Sequence, residues 1–289
     1  MEYKRLDNGF SIPALGLGTW LLGGGIEADY SKDEKNINAI KEAIKLGYLH
    51  IDTAESYGCG HTEELVGLAI KDFNRPDLFI TTKVTDIHLR YNKLINSAKA
   101  SLKRLQTDYI DLYFIHAPNP DIPIKETMEA MDYLVEQKIV KFIGVSNFTV
   151  EALKEAKEAQ KHSDNKIVAN QIEYNLLTRN KGRYGNNHSM ESATIPYCQE
   201  NDIIIIAERP LERGILLKPH PVMDKLAEKY NKTKAQIALN WLISKENIAT
   251  TPMSTNVEHL KENLGAIGWN LSNEDMKLLD ETNFERLIS

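Results

Sequence analysis

The chain has little cysteine and no long apolar run, and these absences exclude several classes of protein. Two cysteines, Cys59 and Cys198, occur among 289 residues, too few for a disulfide-stabilised scaffold. The longest strongly apolar run, Ile203 to Ala207, is far shorter than the ~20 residues that a membrane-spanning helix requires. The first residues, Met1 to Arg5, do not begin a signal peptide. We therefore expect a cytoplasmic protein with no membrane segment.

Basic runs and glycine-rich nucleotide motifs are also missing. The formal net charge is −6 and no long basic run occurs, so we expect no nucleic-acid partner. Neither Gly16-Leu17-Gly18 nor Gly58-Cys59-Gly60 continues into the G-x-G-x-x-G fingerprint of dinucleotide-binding domains, and no Walker A motif is present. The eight histidines form no metal-binding pattern, so we predict no metal site.

What is present is an alternation of short apolar runs with longer amphipathic segments. The runs are rich in Ile, Val and Leu, which is typical of strands buried on both faces. The segments between them repeat apolar residues at helical spacing. The runs are Leu15–Leu17, Leu49–Ile51, Leu78–Thr82, Ile110–Ile115, Phe142–Val145, Ile167–Ala169, Ile203–Ala207 and Ile248–Thr250.

About eight strand–helix units at this length predict an α/β protein with a parallel (β/α)8 (TIM) barrel, formed as one domain by residues 1–289. An open doubly wound sheet is the alternative. Two additions flank the units. The segments Tyr3–Leu6 and Phe10–Pro13, separated by the turn signal Asp7-Asn8-Gly9, predict an N-terminal β-hairpin. Residues Asn273 to Glu281 predict an extra C-terminal helix.

Polar side chains come at the ends of five consecutive apolar runs. Asp52, Lys83, His116, Ser146 and Gln171 are separated by 31, 33, 30 and 25 residues. Because the strands of a parallel barrel end at the same face, where catalytic groups are placed, we expect these side chains to lie close together.

Taken alone, each polar residue also has a structural explanation. Asp52 could cap the next helix, Lys83 could extend from a strand end to water, and His116 could be a hydrogen-bonded buried histidine. Together with Tyr57 they form a complementary set. A neighbouring ammonium lowers the pKa of a tyrosine from its usual value near ~10. Such a tyrosine can protonate a carbonyl oxygen as hydride reaches the carbon, while a histidine hydrogen-bonds that oxygen.

Six segments, in order, resemble motifs of the aldo-keto reductase family. They are Gly16–Trp20, Asp52–Gly58, Thr82–Val84, Asp111–His116, Gly144–Phe148 and Asn170–Tyr174. The resemblance covers nearly the whole chain and implies a (β/α)8 barrel that binds a nicotinamide cofactor without a Rossmann domain. It also implies a reversible, NAD(P)H-dependent reduction of a small aldehyde or ketone to the alcohol.

The resemblance implies roles for individual residues. The catalytic tetrad falls on Asp52, Tyr57, Lys83 and His116, with Tyr57 as the proton donor. Cofactor contacts are implied for Thr19 and Trp20 near the ribose, for Asp52, for Ser146, Asn147 and Gln171 at the carboxamide, for Leu211 near the pyrophosphate, for Ser254, Thr255, Asn256 and His259 at the 2′-phosphate, and for Glu262 and Asn263 near the adenine.

Two segments depart from the family pattern. Where many members have a tyrosine that stacks on the nicotinamide, this chain has Glu208, and a carboxylate cannot stack as an aromatic ring does. Where many members have a lysine and an arginine for the 2′-phosphate, it has Met253 and His259. We expect NADP as the cofactor, with NAD also possible and modest discrimination between them. A strong NADP preference would instead indicate a cation from outside this segment, such as the loop from Arg179 to Arg183.

Two other functions stay open at this point. A cofactor-binding regulatory protein, like the channel-associated members of the family, would keep the site but turn over slowly. A barrel hydrolase would use Asp52 and Glu55 as paired carboxylates, which leaves Lys83 without a role. The sequence contains no signal for the oligomeric state or for the identity of the substrate.

Overall fold

The computed structural model describes residues 1–179, 190–284 and 287. These residues form two compact units: unit 1 contains Met1–Gly16 and the described residues from Ile172 onward, and unit 2 contains Leu17–Gln171. A single domain over residues 1–289 stays a prediction. Within the described part of the chain, no helix combines the length and the apolar character needed to cross a membrane.

Strands and helices alternate along most of the chain. The strands are β1 (Tyr3–Arg5), β2 (Ser11–Pro13), β3 (Leu17–Gly18), β4 (His50–Asp52), β5 (Phe79–Val84), β6 (Ile110–Ile115), β7 (Val140–Ser146), β8 (Ile167–Glu173), β9 (Ile204–Glu208) and β10 (Ile248–Thr250). The α-helices are α1 (Asp33–Leu46), α2 (His61–Ile70), α3 (Tyr91–Leu105), α4 (Ile124–Glu136), α5 (Val150–Ala159), α6 (Ile195–Glu200), α7 (Pro221–Tyr230), α8 (Lys234–Ile243), α9 (Val257–Leu264) and α10 (Asn273–Glu281).

Unit 2 is a parallel sheet with a helix after each strand from β3 to β7. Its strands pair in the order β3, β4, β5, β6, β7 and β8. Every residue of β6 is buried, as expected of a parallel strand covered on both faces. Because all these strands run the same way, their carboxyl ends lie along one edge of the sheet, and the polar residues that end the strands are brought together there.

Helix ends in unit 2 follow from local sequence. Helix α1 buries Ile40, Ala43 and Ile44 along one face, and Gly47 is its C-cap. Gly47 has φ +108 and its N–H bonds to the Ala43 and Ile44 carbonyls, a conformation that glycine adopts at little cost. Helix α5 is preceded by Thr149, whose side chain accepts from the N–H of Ala152, as expected of an N-cap.

Unit 1 contains the N-terminal hairpin and the last strands. Strands β1 and β2 are antiparallel with Tyr3 opposite Pro13, and Gly9 takes φ +87 in the turn, so the predicted hairpin is confirmed. Strands β9 and β10 are parallel, and Leu15 pairs with Thr250. The predicted C-terminal helix is α10, whose N-cap is Ser272.

Two predicted boundaries are wrong. The run Leu15–Leu17 is not one strand, because Leu15 pairs with Thr250 whereas β3 begins at Leu17 and pairs with β4. The residues Asn170 and Gln171 do not follow the end of their strand but lie within β8. An apolar pattern cannot mark the end of a strand that continues into buried polar residues, since both are buried.

Candidate active site

Four polar side chains of unit 2 meet at the carboxyl ends of β4, β5 and β6. Asp52 is the last residue of β4, and Lys83 is the penultimate residue of β5. His116 directly follows β6, and Tyr57 begins a short 3-10 turn after β4. The parallel register therefore brings into one cluster residues that are far apart in sequence.

The ammonium group of Lys83 is at the centre of this cluster. Its side chain is fully buried, and Nζ donates to Asp52 Oδ1 at 2.8 Å and to the Thr53 carbonyl at 2.8 Å. The Tyr57 Oη atom lies 3.4 Å from the same Nζ. A buried charge is costly unless it is paired and hydrogen-bonded, and here the Asp52 carboxylate and two further oxygens surround the ammonium.

His116 forms the opposite side of the cluster. Its ring packs edge-on against Tyr57 with 5.8 Å between ring centroids. The backbone N–H of His116 donates to the Val84 carbonyl at 2.9 Å, and the backbone carbonyl of His116 accepts from Asn147 Nδ2 at 3.1 Å. Burial, and then the nearby Lys83 charge, lower the pKa of His116 to about 3. The imidazole is therefore neutral at pH 7.

The turn that carries Tyr57 is fixed by close backbone packing. Gly58 has φ +55 and its N–H donates to the Gly25 carbonyl at 2.8 Å. A Cβ at Gly58 would lie 2.1 Å from the Gly23 carbonyl oxygen, so only glycine fits. This close contact was not predicted from the sequence, although the run Gly23-Gly24-Gly25 is a signal for a close approach of two backbone segments.

A buried ion pair packs against the same turn, and it was not predicted from the sequence. The Glu63 carboxylate is fully buried and accepts from Thr82 Oγ1 at 2.6 Å and from Arg104 Nε at 2.6 Å. The Arg104 side chain also packs on Gly60, where a Cβ would lie 2.8 Å from it. Helix α2 and the turn before it are thereby tied to β5 and α3.

Of the residues implied at the carboxamide, Ser146 ends β7, Asn147 follows it, and Gln171 lies within the adjacent strand β8. The N–H of Asn147 donates to the Gln171 carbonyl at 2.9 Å, and Asn147 Nδ2 donates to Ser146 Oγ at 3.0 Å. Gln171 Nε2 donates to Asp52 Oδ1 at 3.3 Å. Among the described residues, no acceptor is bonded to the Ser146 hydroxyl hydrogen and no donor is bonded to Gln171 Oε1. This edge therefore offers one hydrogen-bond donor and one acceptor to a ligand.

Thr19 and Trp20 follow β3. Thr19 is fully buried, and both its hydroxyl and its N–H donate to the Asp52 carbonyl, at 2.8 Å and 3.0 Å. Thr19 therefore supports the backbone of Asp52. Trp20 is half-buried.

In unit 1, the residues implied at the 2′-phosphate form the start of α9. Asn256 Oδ1 accepts from the Glu258 N–H at 2.9 Å, and Ser254 Oγ accepts from the Asn256 N–H at 3.0 Å. Thr255 lies between them, half-buried, and His259 is exposed in the first turn. The start of a helix favours a negative charge because its first N–H groups point outward.

The other implied residues of unit 1 have more varied surroundings. Met253 is 44% exposed, and Asn263 is buried in the last turn of α9. Glu262 is half-buried, and its carbonyl accepts from Gln236 Nε2 at 2.9 Å. Leu211 and Glu208, near the end of β9, are both half-buried.

Of the two arginines considered as another source of cations, one is described. Arg179 forms an ion pair with Glu191, in which Nε and Nη2 both donate to Oε2, at 2.8 and 2.7 Å, and it also donates to the Asp280 carbonyl. Arg183 lies outside the described residues.

The carboxylates proposed for a hydrolase do not face each other. Glu55 Oε1 accepts from the Thr85 N–H at 2.7 Å and lies 3.0 Å from His88 Nδ1. Asp52 bonds instead to Lys83. This geometry favours a lysine–tyrosine site over a pair of carboxylates.

Comparison with known proteins decides the family. The family model "Aldo/keto reductase family" matches residues 14–283.

The chain belongs to the aldo/keto reductase family.

Family members resemble the chain over almost its full length. The glyoxal reductase of Bacillus subtilis (strain 168) is 36% identical over 287 residues, covering 98% of this chain and 94% of that protein. A solved thermostable aldo-keto reductase in complex with the inhibitor epalrestat has a TM-score of 0.88 and 44% identity, covering 99% of this chain and 100% of that one. An aldo/keto reductase from Klebsiella pneumoniae, solved with NADP and acetate, has a TM-score of 0.84 and 30% identity, covering 96% and 94%. The predicted aldo-keto reductase family and (β/α)8 fold class are confirmed.

Proposed function

We propose that this aldo-keto reductase reversibly reduces an aldehyde or ketone to the alcohol with NADPH, and that Tyr57 donates the proton. The observation that carries the proposal is the buried ammonium of Lys83, bonded to Asp52 at 2.8 Å and 3.4 Å from Tyr57 Oη. A cation beside a phenol stabilises the tyrosinate left after proton donation, which suits proton transfer at neutral pH.

Each member of the cluster then has a task. Tyr57 protonates the carbonyl oxygen, and Lys83 stabilises the phenolate that forms. Asp52 holds the ammonium in place, and Thr19 holds the Asp52 backbone. His116, neutral because burial and Lys83 lower its pKa to about 3, donates a hydrogen bond that orients the carbonyl. In alcohol oxidation the same groups act in reverse.

The polar side chains of Ser146, Asn147 and Gln171 fit a nicotinamide carboxamide. A carboxamide offers an oxygen acceptor and an NH2 donor. The Ser146 hydroxyl can donate to that oxygen, and the Asn147 and Gln171 side-chain oxygens can accept from the NH2 group. A bound nicotinamide cofactor supplies the hydride for reduction. We propose that Ser146, Asn147 and Gln171 hold its carboxamide and that Thr19 and Trp20 lie near its ribose.

We further propose that NADP is held at the start of α9. Support comes from the NADP complex of the Klebsiella relative and from the polar start of the helix, where Ser254, Thr255 and Asn256 can donate to a 2′-phosphate. His259 is the nearby candidate cation, and Met253 adds no charge. By the same resemblance, Leu211 lies near the pyrophosphate. We assign Glu262 and Asn263 to the adenine end.

A named relative supports a proposal for the substrate class. Since a glyoxal reductase is 36% identical over 98% of this chain, we propose small, reactive 2-oxoaldehydes as substrates. In the described structure Cys59 and Cys198 form no disulfide, which suits the reducing environment of the cytoplasm, where we propose that the protein acts.

The decisive experiment measures NADPH oxidation by the purified protein with glyoxal and with a panel of aldehydes, ketones and sugars. We expect turnover with small aldehydes and its loss in Tyr57→Phe. Tight cofactor binding without turnover of any carbonyl would instead favour the regulatory protein, and absence of cofactor binding would overturn the proposal.

A further inference from the structure

Ser56 lies directly before Tyr57 and has no part in the function proposed so far. Its Oγ atom is 3.3 Å from Nδ1 of His116. Ser56 is half-buried and helical in backbone conformation, with φ −79. Its carbonyl accepts from the Cys59 N–H within the turn that presents Tyr57. One turn therefore contacts both the proposed proton donor and the proposed carbonyl-orienting histidine.

The backbone of His116 is fixed independently of Ser56, so Ser56 acts on the ring. The backbone N–H of His116 donates to the Val84 carbonyl, and its backbone carbonyl accepts from Asn147 Nδ2. The edge contact with Tyr57 limits the tilt of the ring. Among the residues that the structure describes, Nε2 of His116 has no hydrogen-bond partner. The imidazole thus has one nitrogen bonded to the protein and one available to a substrate.

The tautomer decides what Nε2 can do. A neutral imidazole has one N–H donor and one acceptor nitrogen. If Nδ1 carries the proton, Nε2 turns a lone pair toward a carbonyl oxygen and repels it. If Nε2 carries the proton, it donates to that oxygen, and Nδ1 must then accept a hydrogen bond. The hydroxyl of Ser56 is the donor within reach of Nδ1.

We propose that Ser56 is a positioning residue: its hydroxyl donates to Nδ1 of His116 and holds the imidazole as the Nε2–H tautomer that can orient a carbonyl oxygen. This inference rests on the proposed carbonyl reduction for its purpose but not for its geometry. The hydrogen bond that the other ring nitrogen makes commonly sets which nitrogen of a histidine carries the proton.

The test replaces the hydroxyl and restores it. Ser56→Ala removes the donor, and Ser56→Thr returns a hydroxyl at the same atom. Ser163→Ala is the matched control, because the Ser163 hydroxyl bonds to Asp132 at 3.0 Å instead of His116. All variants are full-length chains, checked for folding by thermal unfolding.

The first readout is independent of turnover. The protonated and unprotonated nitrogens of a neutral imidazole differ clearly in nitrogen-15 chemical shift. His116 is recorded in histidine-labelled protein with and without NADP+, and its signals are assigned by comparison with His116→Gln. We expect Nε2–H in the unchanged protein and in Ser56→Thr, and a shift toward Nδ1–H in Ser56→Ala. An Nδ1–H tautomer in the unchanged protein, or no change in Ser56→Ala, overturns the proposal.

The second readout is steady-state carbonyl reduction. We expect kcat to fall roughly three- to tenfold in Ser56→Ala, the scale of one lost hydrogen bond, with cofactor KM unchanged. Ser56→Thr and Ser163→Ala are expected to stay within about twofold of the unchanged protein. If the tautomer follows Ser56 but no carbonyl is turned over, the positioning role stands and the proposed function fails. If turnover is strong but the tautomer is the same with and without the Ser56 hydroxyl, the proposed function stands and the positioning role fails.

Discussion

Lys83 Nζ donates to Asp52 Oδ1 at 2.8 Å, and neither side chain is more than 6% exposed. Removing two charges from water costs several kcal/mol per ion, so such a pair is weak evidence for stability. A hydrophobic pair at the ends of β4 and β5 would satisfy packing without that cost. The placement of Tyr57 Oη 3.4 Å from the same Nζ gives the charge a chemical use instead.

The first prediction concerns the proton donor. Tyr57→Phe removes the phenolic hydroxyl and keeps the ring that packs on His116. Loss of general acid catalysis typically costs about 10²- to 10⁴-fold in rate, so we expect kcat for carbonyl reduction to fall by that factor, with the Kd for NADPH little changed. Tyr91→Phe is the control, because its ring packs on Tyr133 outside the site. Near-normal turnover by Tyr57→Phe would remove Tyr57 from the mechanism.

The second prediction concerns the buried ammonium. Lys83→Met leaves Asp52 as an uncompensated buried charge, which typically costs about 3 to 5 kcal/mol of stability. It also removes the cation beside Tyr57, so we expect alcohol oxidation, which needs the tyrosinate, to require a higher pH. The measurements are denaturant unfolding and the pH profile of kcat/KM for an alcohol.

A double variant separates these two effects. Lys83→Met with Asp52→Asn removes both charges, so stability is expected to recover in part while alcohol oxidation stays displaced to higher pH. An unchanged pH profile in both variants would show that Lys83 does not act on Tyr57.

Much of the unit 2 site could be predicted, because parallel strands impose a simple rule on sequence. Residues that end successive buried strands must meet at one edge, so Asp52, Lys83 and His116 could be grouped without coordinates. Strand extent was harder to predict. Buried polar residues such as Asn170 and Gln171 continue β8, whereas a periodic apolar pattern ends before them.

Contacts that depend on the three-dimensional path of a loop could not be predicted. The bond between Ser56 and His116 joins residues 60 positions apart, and no spacing rule relates a loop to the residue after a later strand. The pair of Glu63 and Arg104 joins two helices, and each residue alone resembles an ordinary charged surface position. Only packing shows that the Glu63 carboxylate is buried.

The third prediction concerns stability against pH. His50 is fully buried on β4 next to Thr81, and burial lowers its pKa to about 4. As the pH falls, His50 binds a proton near pH 6.5 in the unfolded chain but only near pH 4 in the folded chain. The free energy of unfolding therefore falls as pH drops from about 6.5 to about 4, by about 3 kcal/mol from this residue.

The measurement is denaturant unfolding at pH 7 and pH 4.5 of the unchanged protein, of His50→Gln, and of His162→Gln at an exposed histidine. We expect the difference between the two pH values to shrink in His50→Gln alone. An equal difference in all three proteins would mean that other groups cause the loss of stability in acid.

The last prediction concerns cofactor selection. A 2′-phosphate is held best by arginine, which is always charged and donates in a planar fork. Here Met253 contributes no charge, and exposed His259 is the candidate cation at α9. We therefore expect NADPH to be preferred over NADH by at most ~10²-fold in kcat/KM, which corresponds to under about 3 kcal/mol.

His259→Arg and His259→Gln make this test specific. His259→Gln removes the candidate cation, so we expect the NADPH preference to fall in that variant. We expect His259→Arg to raise the NADPH preference above that of the unchanged protein. A strong preference that persists in His259→Gln would require a cation elsewhere. Arg179 already donates twice to Glu191 Oε2, so Arg179 could hold the phosphate only if that ion pair broke, and Glu191→Gln would then strengthen NADPH binding.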